Sequence, residues 1–168
     1  MIVRRPRRVT AVLTAAVAAL LVSVLLQACS PSDAVSKRFD ELGGDRSQRV
    51  ATETRLLDPH AALPSPILDA HAFEETLGDG FFGPSDHVYF RQIQVSPSDL
   101  ANWTRRLSAT SDPVTFVTPD KFRSWWVSPQ AFRRLVFYLP ASPLSDSAHG
   151  WIGVSPADGQ IFVFSFTM

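Results

Sequence analysis

The chain has 168 residues, 45% of them hydrophobic, and sets 16 basic side chains against 16 acidic ones. That length admits one domain with a tail, enough to bury a core without disulfides. There is no basic stripe, so no nucleic-acid partner is expected, and a single cysteine rules out an intrachain disulfide. The 13 prolines fall between apolar runs rather than within them, which predicts short elements joined by turns and argues against coiled coil.

The first residues carry Arg4, Arg5, Arg7 and Arg8, and residues 9–26 then follow without a charge. A basic segment before an apolar one has the form of a secretory signal, and the arginines favour keeping that end on the cytoplasmic side. An uncharged run of 18 residues lies at the lower edge of what spans a bilayer. The run ends in Leu26-Gln27-Ala28-Cys29, which resembles the lipobox of bacterial lipoproteins: an aliphatic residue, a tolerant position, a small residue, then cysteine. Gln27 departs from the small or aliphatic residue usual there. The resemblance covers about the first 30 residues. It implies a diacylglycerol thioether on Cys29, cleavage between Ala28 and Cys29, and further acylation of the new amino terminus by a palmitate-type chain. Two or three acyl chains anchor a protein stably where one does not, at about 0.8 kcal/mol per buried methylene. Pro6 and further arginines follow Arg4-Arg5 in place of apolar residues, which favours the general secretory route over the twin-arginine one. Removing residues 1–28 leaves 140, with 12 basic and 16 acidic side chains and a net charge of −4. The resemblance places the mature chain in the cell envelope. Ser30 is not aspartate, so in a Gram-negative host the expectation is the outer membrane, facing the periplasm.

Residues 29–62 read as a lipidated tether with weak helices. Val35, Phe39 and Leu42 fall at i, i+4 and i+7, with Ser32 or Asp33 as a cap, and Gly43-Gly44 stops the run. A second weak helix is predicted over residues 46–57, before Asp58-Pro59. Pro64-Ser65-Pro66 marks the expected boundary of a globular domain over residues 63–168. Within it, residues 71–77 are helix-like, and residues 88–95 form a strand rich in β-branched and aromatic side chains. Ser96-Pro97-Ser98-Asp99 then opens a helix over 97–108, with serine as cap and proline at the first helical position. Leu100, Trp103 and Leu107 share its buried face. Short strands are expected at 114–117 and 134–139. Residues 150–154 and 160–167 flank Pro156-Ala157-Asp158-Gly159, a turn in which glycine supplies positive φ. Phe162, Phe164 and Phe166 point one way and Ile161, Val163 and Ser165 the other, so this strand is covered on both faces. The predicted class is α+β: an antiparallel sheet of about four or five strands, one main helix packed on a face, preceded by a signal helix and tether.

Residues 78–83 match G-x-G-x-x-G, but a dinucleotide site needs a strand before it and a helix after it. The reading here is a loop with Phe81 and Phe82 tucked beneath it, and no cofactor is expected. Asp58-Pro59-His60 and Asp69-Ala70-His71 repeat a spacing that could hold a metal. Neither has a rigid element behind it, so surface histidines are expected and no metal. His87 and His149 are placed at sheet ends, and Glu74–Glu75 is read as a solvated pair. No serine sits in a nucleophile elbow, and no catalytic residue is assigned. Trp125-Trp126 is the most distinctive feature. The pair either forms a platform for sugars or a partner's apolar side chain, or splits, one ring capping the core and the other sealing a loop. The stretch from Leu63-Pro64 to the closing hairpin resembles small domains of bacterial secreted and lipid-anchored proteins, a similarity that implies no activity. The expectation is a non-catalytic envelope lipoprotein that binds an envelope protein or cell-wall material through Trp125, Trp126, Phe81 and Phe82. Two alternatives stay open: an immunity or inhibitor lipoprotein against a wall-degrading toxin, and an envelope hydrolase using His71, His87 or His149 beside an acid.

Overall fold

The computed structural model describes residues 37–57, 62–78 and 86–167, which belong to a folded unit spanning Val35–Met168. In chain order it contains β1 (Lys37–Glu41), α1 (Arg46–Leu57), β2 (Asp69–Leu77) and β3 (Asp86–Gln94). A 3-10 turn (Pro97–Asp99) then runs into α2 (Leu100–Thr104), followed by α3 (Pro129–Phe132), β4 (Val136–Tyr138), β5 (His149–Ser155) and β6 (Gln160–Phe166). All pairings are antiparallel, in the order β1-β2-β3-β6-β5-β4. The α+β class stands, with six strands rather than four or five and with few, short helices.

Side chains of a strand alternate between faces, and here the two faces differ in chemistry. One is aliphatic. Ile93, Ile152, Val154, Ile161 and Val163 are buried on it under Leu57 of α1, Ile67, Leu100 and Trp103 of α2, and Leu144. The other is aromatic. Phe73, Phe90, Trp151 and Phe162 pack there against Trp126, Val127 and Phe132 from the segment between α2 and β4. β6 is thus covered on both sides, as its sequence predicts. Each such fully buried side chain contributes roughly 1.5–3 kcal/mol. The β5–β6 hairpin closes at Gly159, where φ is +67°.

Several local expectations are corrected. Residues 37–41 form an edge strand rather than a helix, pairing from Lys37↔Leu77 to Glu41↔Phe73. The gain is a full ladder with β2, which outweighs a thin helical stripe. Residues 71–77, read as helix-like, are the core of β2; hydrogen bonding to β1 and β3 on both sides overrides the helix propensity of Ala72, Glu74 and Glu75. The expected tether is, over 37–57, part of the fold. Helix α1 has the predicted bounds and is closed at its start by a capping box: the Gln48 N–H donates to Asp45 Oδ1 at 2.9 Å, and the Asp45 N–H to Gln48 Oε1 at 2.9 Å. Leu57 is buried in the aliphatic core. The chain does not break at Pro64-Ser65-Pro66 either: Ile67 is buried, and Ser65 Oγ accepts the Trp103 indole N–H at 2.9 Å. The 97–108 helix is a 3-10 turn plus one short α segment. Its face is as expected, with Leu100 and Trp103 buried, but the Ser96 hydroxyl pairs with Ser98 rather than capping the backbone. Residues 114–117 form no strand and cover the aromatic face as irregular chain.

One buried ion pair crosses the aliphatic face. Glu53 of α1 is fully buried, and Arg91 Nε lies 2.8 Å from its Oε1. The N–H is not aligned on that oxygen, so the contact is a close charge pair and both carboxylate oxygens lack a directed donor. Burial raises the Glu53 pKa, with Arg91 only partly opposing. Arg91 is fixed from its other end, where Nη1 donates to the Leu144 carbonyl at 2.8 Å.

Candidate functional site

The register sets transverse rows on the aromatic face, and three of them bear on the site. Phe73, Phe90, Phe164 and Trp151 stand side by side in the innermost row. His71, Gln92 and Phe162 form the next, and Asp69, Gln94 and Gln160 the last. The first row is dry core; the other two carry amides, an imidazole and a carboxylate toward the end of the sheet. Residues 124–131 cross above them. Between floor and roof lies a cleft of about 700 Å³, lined by both polar rows together with Trp125, Trp126, Ser124 and Ser128. That volume is ordinary for a small-molecule site.

The roof is held rigidly, which separates the fates of the two adjacent tryptophans. Trp126 is only 8% exposed. Its Nε1–H donates to the Val117 carbonyl at 2.8 Å, and its ring meets Phe90 and Phe162 edge-on at 5.2 and 5.7 Å. Glu75 is buried, and its Oε1 accepts the Asp120 N–H at 2.7 Å. The Arg123 guanidinium lies 3.9 Å above the Phe73 ring and 3.0 Å from Glu41. Ser128 caps α3 by accepting the Ala131 N–H. Trp125 is half-buried and faces the cleft, stacked on His71 at 5.4 Å and 12°. Trp126 is the peg, and Trp125 is the available surface.

The charges in the cleft are those of Asp69, bound by Arg49, and of Arg46, whose side chain stays 66% exposed at its rim. Burial lowers the His71 pKa, Arg49 lowers it further, and Asp69 and Glu41 oppose, leaving it below the usual histidine value and the ring neutral at pH 7. At Asp69 burial works against ionisation. The hydrogen bond from Arg49 at 2.8 Å, the Ala70 N–H at 2.8 Å and the charges of Arg49 and His71 prevail, so its pKa is lowered. Asp69 Oδ2 stands 3.9 Å from His71 Nε2, too far for a hydrogen bond. Gln94 donates to the Asp158 carbonyl at 2.6 Å. Gln92 is 6% exposed and lines the cleft.

Other predicted site residues fall elsewhere. His87 Nδ1 lies 2.6 Å from Glu74 Oε1 and its ring stacks on Tyr89; His149 is exposed and stacks on Phe166. Glu74 and Glu75 are therefore not a solvated pair: on a strand they point to opposite faces, one toward His87 and the other under the roof. Asp69 and His71 do come together, while Asp58 and His60 lie outside the described residues. Among the described residues no group of three metal-binding side chains occurs, and no helix is long and apolar enough to cross a membrane. Cys29, Phe81, Phe82 and the rest of the glycine-rich loop also lie outside the described residues. The sequence reading missed Gln92 and Gln160. The signal was present in part, since Gln92 and Gln94 are polar residues on one face of a strand whose other residues are largely apolar. No protein-family model, curated protein or solved structure matches this chain.

Proposed function

We propose that this chain is a lipid-anchored protein of the cell envelope, held at Cys29, whose folded unit binds cell-wall material in the Trp125 cleft without transforming it. The observation that carries the binding reading is the half-buried Trp125 indole, which lines the cleft together with the His71, Gln92, Gln94 and Gln160 side chains of its floor. Concave sites that combine an aromatic wall with a few placed polar groups are the usual form of ligand sites. Chemistry is disfavoured by the same geometry. Asp69 turns to Arg49 rather than orienting His71, and no described serine hydroxyl bonds to either His71 or His87. A hydrolytic relay needs both of those bonds.

The anchor and the cleft are tested separately. Cys29→Ala should abolish incorporation of labelled fatty acid and leave an uncleaved precursor; unchanged processing overturns the anchor. The full chain in detergent should sediment with purified cell-wall sacculi, and Trp125→Ala should release it while lowering the melting temperature by only about 4–8 °C, so that the variant is still folded in the assay. Equal retention of both proteins overturns the cleft.

A further inference from the structure

We infer that the cleft takes the carboxylate end of a short peptide whose amino end is acylated, with the carboxylate on Arg46 and a small apolar side chain against Trp125. This rests on the binding reading above and names its ligand class, the peptide component of the wall.

The argument begins with Arg46 of α1. Its Nε donates to the Leu68 carbonyl at 2.7 Å, which ties the guanidinium to the rim of the cleft, yet the side chain stays 66% exposed. A guanidinium carries its N–H donors in a fixed fork, and those on the two Nη nitrogens match the paired oxygens of a carboxylate.

The charges around it leave a positive excess. Arg46 and Arg49 share one carboxylate, Asp69, which Arg49 holds at 2.8 Å and which Arg46 Nε approaches only to 3.8 Å. His71 adds no charge near pH 7, because burial and Arg49 lower its pKa. Other carboxylates on the surrounding elements are engaged elsewhere: Asp45 caps α1, Glu41 pairs with Arg123, and Asp158 accepts from the Ser155 hydroxyl. A guanidinium over balance at an open rim fits a single negative charge on the ligand. The same count excludes an ammonium. Asp69 is the one carboxylate lining the cleft, and Arg49 already holds it. A peptide bound here therefore has its amino end converted to an amide.

The rest of the cleft suits the chain behind the carboxylate. Gln92 and Gln160 line its floor, and a glutamine amide presents N–H donors and a C=O acceptor as a peptide bond does. Trp125 is braced by His71 at 5.4 Å and by the edge of Trp126 at 5.9 Å, so its indole is a fixed apolar surface rather than a swinging side chain. A polyol phosphate has no apolar side chain to set against that ring, and a neutral sugar leaves Arg46 without a counter-charge.

The test uses the full chain in detergent, titrated with N-acetyl-D-alanyl-D-alanine, the same dipeptide ending in a carboxamide, and the unacetylated dipeptide, and read by tryptophan fluorescence and calorimetry. The acetylated free acid should bind about tenfold tighter or more than the other two, and more weakly as salt rises. Arg46→Gln should erase that preference with the melting temperature nearly in place, because the side chain is largely exposed. Arg46→Lys, which keeps the charge and loses the fork, should recover part of it. Equal binding of free acid and carboxamide overturns the role given to Arg46. Retention of sacculi through Trp125 without binding of the dipeptide, or with preference for N-acetylglucosamine trimer or glycerol phosphate, overturns the peptide class and leaves the binding reading standing. If no probe binds and sacculi are not retained, both this inference and the reading beneath it fall.

Discussion

Replacing Trp126 by alanine tests whether the roof above the cleft is held by one buried ring. The side chain is 8% exposed and packs against Phe90, Phe162, Trp151 and Trp125. Truncating a buried tryptophan costs about 3–5 kcal/mol in lost transfer energy and cavity. The Val117 carbonyl also loses its donor, which adds about 1 kcal/mol or more. The total, about 4–6 kcal/mol, approaches the whole stability of a small domain, about 5–15 kcal/mol. Trp125→Ala should behave differently. Its ring is half-buried and its defined contacts are a stack and an edge, so the loss is about 1–2 kcal/mol. At roughly 4 °C per kcal/mol for a unit of this size, the two melting temperatures should fall by about 16–24 °C and about 4–8 °C. Urea and thermal melts followed by far-UV circular dichroism would measure both, with Trp126→Phe recovering most of the packing but not the hydrogen bond. A Trp126→Ala loss below about 1.5 kcal/mol, or one equal to that of Trp125→Ala, would refute the division between peg and surface.

Two further predictions concern the frame. Because the folded pKa of Glu53 is raised above its ordinary 4.5, the folded chain holds a proton that the unfolded chain has already lost. Its contribution to stability is therefore full below that value and declines as pH rises through the raised folded pKa. The difference in stability between wild type and Glu53→Gln, followed by denaturant melts from pH 4 upward, should show this decline; a flat difference would contradict it. At Gly159, where φ is +67° and an added Cβ would lie 2.3 Å from the Val95 carbonyl oxygen, alanine should cost about 2 kcal/mol or more. Gly43, with nothing within 4 Å of an added Cβ, is the control and should tolerate alanine with little change, and equal melts for the two variants would argue against a strained hairpin.

The parts of the fold that local chemistry dictates were legible. The bounds of α1, the β3 strand and the Gly159 hairpin each follow from caps, alternation or turn residues within a few positions. The parts that depend on distant partners were not. Phe39 and Leu42 share a helical face on paper, yet residues 37–41 extend because β2 offers an unpaired edge 32–40 residues along the chain. The stretch at 71–77 is rich in helix formers and becomes a strand because both its edges are paired. The site divides in the same way. Trp125-Trp126 stood out as a dipeptide, but which ring faces the cleft is decided by Phe90 and Phe162 below it. The grouping of His71 with Gln92, and of Asp69 with Gln94 and Gln160, exists only through strand register.

The place of β6 between β3 and β5 has a kinetic meaning. It alone joins the β1-β2-β3 half of the sheet to the β4-β5 half, and its pairing with β3 runs from Gln94↔Gln160 to Val88↔Phe166. Neither half can close over both cores until β6 is available, and contacts this distant in sequence make folding slow. During synthesis the chain would carry two open β-edges and an uncovered aromatic face. A chain that stays unfolded until β6 emerges can still be threaded through a translocation pore, which the proposed route to the envelope requires.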